Sequence, residues 1–136
     1  MYQKGRGVPQ NDKTAVKWYR LSAEQGDALA QSNLGFMYHD GLGVPQHYKT
    51  AAKWCRLAAE QGDATAQNNL GNAYGLGQGV IQDNVYAHMW LNIAPSSGNK
   101  VAVKNRDIVA KRMTLADIST AQNLARECVR KNYKGC

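Results

Sequence analysis

One phenylalanine, three prolines, three cysteines and ten acidic residues are all that the 136-residue chain supplies of those types. Each scarcity excludes something. Hydrophobic residues make up 43% of the chain, yet Phe occurs once, so a core must be built from small side chains, with Tyr and Trp as the large ones. Cys55, Cys128 and Cys136 are too few for a disulfide framework, and no CxxC pair or His cluster points to zinc. No apolar run approaches the ~18 residues of a membrane-spanning helix, and no secretory leader opens the chain. Charged residues at 20%, with thirteen Gly and three Pro, do not describe a disordered polymer. The length fits one domain or a short array of repeats.

Catalytic signatures are missing too. His39, His47 and His88 stand in different contexts, without HExxH or a paired acid at metal spacing. There is no GxSxG and no GxxxxGK[ST]. The glycine-rich stretches "GRG" and "GLGQG" recur as turns and never follow a strand. The expectation is a protein with no catalytic residue, no cofactor and no metal.

What is abundant is positive charge, and it is unevenly placed. Residues 1–99 hold eight Lys/Arg against seven Asp/Glu, whereas residues 100–136 hold nine against three. A tail of that sign suits nucleic acid, anionic lipid or an acidic protein, or else is a solvated helix face. Only Tyr133 interleaves with those basic residues as an aromatic, which ranks nucleic-acid binding last.

The chain also repeats itself. "AEQGDALAQSNLG" at 23–35 returns as "AEQGDATAQNNLG" at 59–71. A shift of about 36 residues aligns 1–36 with 37–72 at roughly two-thirds identity, and 73–108 is a more divergent third copy. Gly5/Gly7 return as Gly41/Gly43 and Gly77/Gly79, Gly26 as Gly62 and Gly98, and Trp18 as Trp54 and Trp90. Three tryptophans in one phase predict inter-helix core.

Each period reads as two helices. Ala51, Trp54 and Leu57 or Ala58 fall on one helical stripe. Gly62 stands where a left-handed C-terminal cap is expected, and Asp63 as the next N-cap, with Asp27 and Asn99 in the same role. In the following helix Gly71, like Gly35, costs about 1 kcal/mol against alanine, which predicts close approach of a neighbouring helix. Pro45 biases Val44 away from helix. Pro95 stands where the preceding copy has Ala59, so the third long helix is expected to kink or end early. Residues 100–111 and 116–131 predict two capping helices, with Thr114 as an N-cap. Cys55 is expected to be a small buried residue.

These residues, "LG" with Tyr38 or Tyr74, then "GVPQ", then Trp54 and the turn glycine, resemble the Sel-one-like repeat family, cousins of the tetratricopeptide repeats. The resemblance covers residues 1–99, with residues 100–136 as a basic C-terminal cap. It implies an all-α superhelix of antiparallel helix pairs, about three repeats plus a capping helix pair, and an adaptor role rather than an enzymatic one. Because residues 1–2 align with residues 37–38, the first unit is expected to lack most of its leading helix, which leaves an exposed N-terminal end able to self-associate and an upstream signal peptide possible.

A groove lined by the leading helices is where the resemblance places a partner, either a protein or a peptide. The matching phases select Leu29, Ser32, Phe36, His39 and Asp40; Thr65, Asn68, Asn72, Gly75 and Leu76; and Val101, Lys104, Ile108, Lys111 and Arg112. Phe36 is either an aromatic anchor for the partner or a packing residue against a neighbouring helix. Asn68 and Asn72 are candidates for bonding a peptide backbone, and Lys104, Lys111 and Arg112 for a carboxylate. Asn33, Asn69 and Asn105, also in phase, suit bonds between adjacent helices. The spacing of Cys128 and Cys136 is similar to a disulfide that staples helix pairs in a cysteine-rich bacterial branch of the family. A bridge there implies an oxidising, periplasmic or secreted setting, and two thiols a cytoplasmic one. That branch also suggests an alternative role, an exported binder of cell-wall or antibiotic-like ligands.

Overall fold

A computed structural model describes residues 9–136. Seven helices follow one another: α1 (Pro9–Glu24), α2 (Ala28–Asp40), α3 (Tyr48–Ala59), α4 (Ala64–Leu76), α5 (Asn84–Ile93), α6 (Val101–Ala110) and α7 (Leu115–Arg130). A 3-10 turn, Ala94–Ser97, follows α5, and no strand occurs among the described residues. The expected first-unit residues 1–8, with Gly5 and Gly7, lie outside the described residues.

The repeated "QGD" acts as a stop and a start. Gly26 and Gly62 take φ of +96° and +95°, a region glycine enters without a Cβ clash. Asp27 then accepts from the Ala30 N–H, and Asp63 from the Ala66 N–H, each at 2.8 Å. Asn99 departs from that pattern. It accepts from the Val101 N–H at 3.1 Å, two residues on, while Lys100 is already αR and α6 begins without a side-chain cap. Thr114 caps α7 through the Asp117 N–H. Pro95 lacks the N–H that an α-helix would need, and α5 gives way to the 3-10 turn one residue before it.

Consecutive helices pack on one another from α1 through α6. The helical glycines are where they come closest. A Cβ on Gly71 would lie 2.7 Å from Leu91 Cγ, and one on Gly35 would lie 2.8 Å from Cys55 Sγ. The turn glycines Gly43 and Gly79 sit equally close, against the backbone carbonyls of Asp12 and Tyr48 at the same position of the preceding unit. A buried glutamine ties each of the leading helices α2 and α4 back to the helix before it. Gln31 Nε2 donates to the Ala23 carbonyl at 3.2 Å, and Gln67 Nε2 to that of Ala59 at 3.1 Å. Gln31 Oε1 further accepts from Gln61 at 2.8 Å. Gln67 Oε1 is buried without a partner, because Ser97 occupies the place of Gln61.

The cap departs from a simple helix pair. Helix α7 packs on α5 rather than on α6, and brings Ala125 and Cys128 into a cluster with Ala58, Leu70, Trp90 and Ile93. A disulfide joins Cys128 to Cys136. Tyr133, inside that ring, lies against Gly62, and its hydroxyl is 3.4 Å from Ser97 Oγ.

The tryptophan expectation holds for Trp90, in part for Trp54, and fails for Trp18. Trp90 is completely buried, Trp54 is half-buried against the α1–α2 cluster, and Trp18 is 62% exposed. The register is shared but the neighbours are not. Trp90 has α3 before it and α7 beside it, Trp54 has only the preceding cluster, and Trp18 has no described helix before it.

Candidate functional site

A cleft of about 490 Å³ opens where α2, α3 and α4 meet. The last two turns of α2 contribute Gly35, Phe36, His39 and Asp40. Helix α3 contributes Tyr48, Ala51, Ala52 and Cys55, and α4 contributes Asn69, Asn72, Ala73 and Leu76. Gln78, after α4, and Asn105, on α6, complete the wall. The shape follows from composition: small residues of α3 face α2 and α4, leaving room that larger side chains would fill.

One end is polar. His39 Nδ1 lies 2.8 Å from Asp40 Oδ1 and Nε2 lies 3.1 Å from Gln78 Oε1, while the ring tilts against Tyr48 with centroids 5.0 Å apart. The middle carries side-chain amides. Asn69 and Asn72 line the cleft, and neither side chain hydrogen-bonds to another described residue. Apolar surface flanks them, with Phe36 39% and Leu76 65% exposed. Cys55 is buried, and burial, with a smaller push from Asp63, raises its thiol to about 12. It therefore stays protonated and serves as apolar lining. Among the described residues, no three His, Cys, Asp or Glu side chains gather to hold a metal ion.

Of the candidate partner residues, the cleft brings together Phe36, His39, Asp40, Asn72 and Leu76. Leu29 and Thr65 are exposed at the opposite ends of α2 and α4, outside it. Ser32 and Asn68 are a correction: both are buried. Their phase faces the next leading helix rather than solvent, and Asn68 Oδ1 accepts from Asn105 Nδ2 of α6 at 3.0 Å. Lys104, in that phase on the last leading helix, stays exposed because α7 packs elsewhere. Val101, Ile108 and Lys111 are also exposed, Gly75 is buried, and Arg112 Nη2 donates to the Gly75 carbonyl at 3.4 Å. The bond that ties α4 to α6 thus uses Asn68, not the in-phase Asn69, which faces the cleft with Asn105. Tyr48, Ala51, Ala52 and Cys55 escaped phase counting because they belong to the intervening helix. The alanine pair "TAA" was the available signal for a recess.

Residues 1–27, 28–63 and 64–99 each match the family model described as the Sel1 repeat. The chain is similar to the crystal structure of a protective antigen present in uropathogenic Escherichia coli strains, which displays an SLR fold. The TM-score is 0.88 at 34% identity, over 93% of this chain and 28% of the other. It is also similar to a Sel1 repeat protein from Oxalobacter formigenes, with TM-score 0.65 and 38% identity over 67% of this chain and 26% of the other. The chain thus spans little more than a quarter of either structure's length. No curated protein matches it.

Proposed function

The chain belongs to the Sel1 repeat family, whose members serve generally as protein-interaction scaffolds, and from that premise we propose that its α2–α3–α4 cleft binds an extended segment of a partner protein. The observation that carries this reading is the pair of amides, Asn69 and Asn72, that no described residue engages, beside the exposed ring of Phe36. An extended backbone needs donors and acceptors in alternation, which carboxamides supply, and an aromatic edge anchors one apolar side chain. Among the described residues, no helix is long and apolar enough to cross a membrane. The Cys128–Cys136 bridge supports an oxidising compartment for the protein.

The test is selection of binders from a random peptide display library, followed by affinity measurement on variants. Phe36→Ala and Asn72→Ala should each weaken the selected peptides at least about tenfold, as loss of an anchor does, with little change in melting temperature. Peptides that bind both variants as well as the native protein would place the site elsewhere.

A further inference from the structure

We propose that the C-terminal ends of the three leading helices form a charge-graded rim, which selects a partner segment bearing a cation, an apolar residue and a carboxylate at intervals of about three residues. The proposal rests on the cleft reading above and names the class of segment that the cleft accepts.

Asp40, Leu76 and Arg112 are repeat-equivalent, one on each successive unit. Asp40 ends α2, Leu76 ends α4, and Arg112 follows the C-cap Lys111 of α6. The row therefore runs acid, apolar, base. Asp40 and Leu76 line the same cleft. The guanidinium of Arg112 is held on the end of α4 by its bond to the Gly75 carbonyl, next to Leu76. All three are exposed.

Among the described residues, no Lys or Arg pairs with Asp40 and no Asp or Glu with Arg112. Asp40's one ion-pair partner among the described residues is the neighbouring His39 ring, while the Arg112 guanidinium donates to a backbone carbonyl. Asp40 also sits at the negative end of the α2 dipole, where a basic residue would be favoured. The His39 ring is its partner among the described residues, and a cationic ligand would offset the unfavourable dipole further.

Packed helices lie about 8–10 Å apart and an extended chain advances about 3.3 Å per residue. Successive rim positions are thus about three residues apart on a bound strand. The matching segment reads Lys-x-x-Leu-x-x-Glu, or the same pattern reversed when the strand runs the other way. A uniformly anionic partner such as a nucleic acid or lipid surface would meet repulsion at Asp40.

The experiment measures fluorescence anisotropy of labelled seven-residue peptides on the full chain. Leu is kept at the centre, Ser fills the x positions, and the ends are Lys/Glu, Glu/Lys, Lys/Lys or Glu/Glu. At least one mixed peptide should bind about five- to tenfold tighter than both uniform ones, as two partly exposed ion pairs allow. Asp40→Lys should transfer the preference to Glu/Glu, and Arg112→Glu should transfer it to Lys/Lys. If all four bind alike and Phe36→Ala weakens them all, the rim is overturned and the cleft stands. If none binds, or Phe36→Ala changes nothing, the cleft reading falls and the rim with it.

Discussion

Trp18 and Trp90 hold the same repeat position, yet one is 62% exposed and the other completely buried. Their partners three residues on behave alike, with Leu21 47% exposed and Ile93 buried. What separates the two among the described residues is company. Helix α3 stands before Trp90 and α7 lies beside it. A repeat position therefore has no fixed environment, and its energetic weight depends on how many neighbours the array supplies.

The contrast is breakable by mutation. Trp90→Ala should cost about 3–5 kcal/mol, as truncation of a buried aromatic does, whereas Trp18→Ala should stay within about 0.5 kcal/mol. Urea denaturation of both variants measures this, and equal losses would abolish the distinction. Next in size is the tail. Cys136→Ser removes the closure of a short loop and should cost about 2–3 kcal/mol. Hydrogen exchange in that variant should quicken in α7 and spare α1 and α2, sharpening the line between the helices that the tail braces and those that it does not.

Much of the fold was legible in the chain, because its determinants are local. Asp27 and Asp63 cap, and Gly26 and Gly62 turn, through contacts within a few residues, and each recurs in a visible period. The helical glycines were legible for the same reason, since a costly Gly71 implied a close neighbour, found in Leu91. The lining of the candidate cleft was legible only in part. Phe36 and Asn72 emerged from helical phase, but Ser32 and Asn68 share a leading-helix face that stacking buries, and phase alone does not distinguish stacking from solvent. The docking of α7 on α5 is non-local, so nothing near Trp18 announced that it would differ from Trp90.

Smaller effects probe the interior of the third unit against the second. Gly71→Ala gains helix propensity but drives a methyl towards Leu91 Cγ, a branch point that has little room to retreat. The net loss should be on the order of 1 kcal/mol, visible as a lower melting temperature. Gly35→Ala, which meets the Cys55 sulfur instead, should cost less. Last comes a pH effect. His88 is buried, and its pKa is lowered from 6.5 by burial first and by Arg106 second, with Asp107 opposing. Below about pH 6.5 the unfolded chain takes up a proton that the folded chain refuses. Stability is therefore full above that pH and declines as pH falls towards the folded value. Melting temperature followed from pH 7 to 5 should show this slope, and His88→Gln should flatten it.

The contacts of Gly43 on the Asp12 carbonyl and of Gly79 on that of Tyr48 bear on how such a chain changes length. Each joins one unit to the next by the same pair of positions, so a gene that gains or loses a whole period rebuilds an identical joint at the cut. A gain of any other length leaves a glycine facing the wrong carbonyl. Whole periods are therefore the steps in which this architecture can change length without breaking a joint, and the identical "AEQGDA" stretches at 23–28 and 59–64 stand one such step apart.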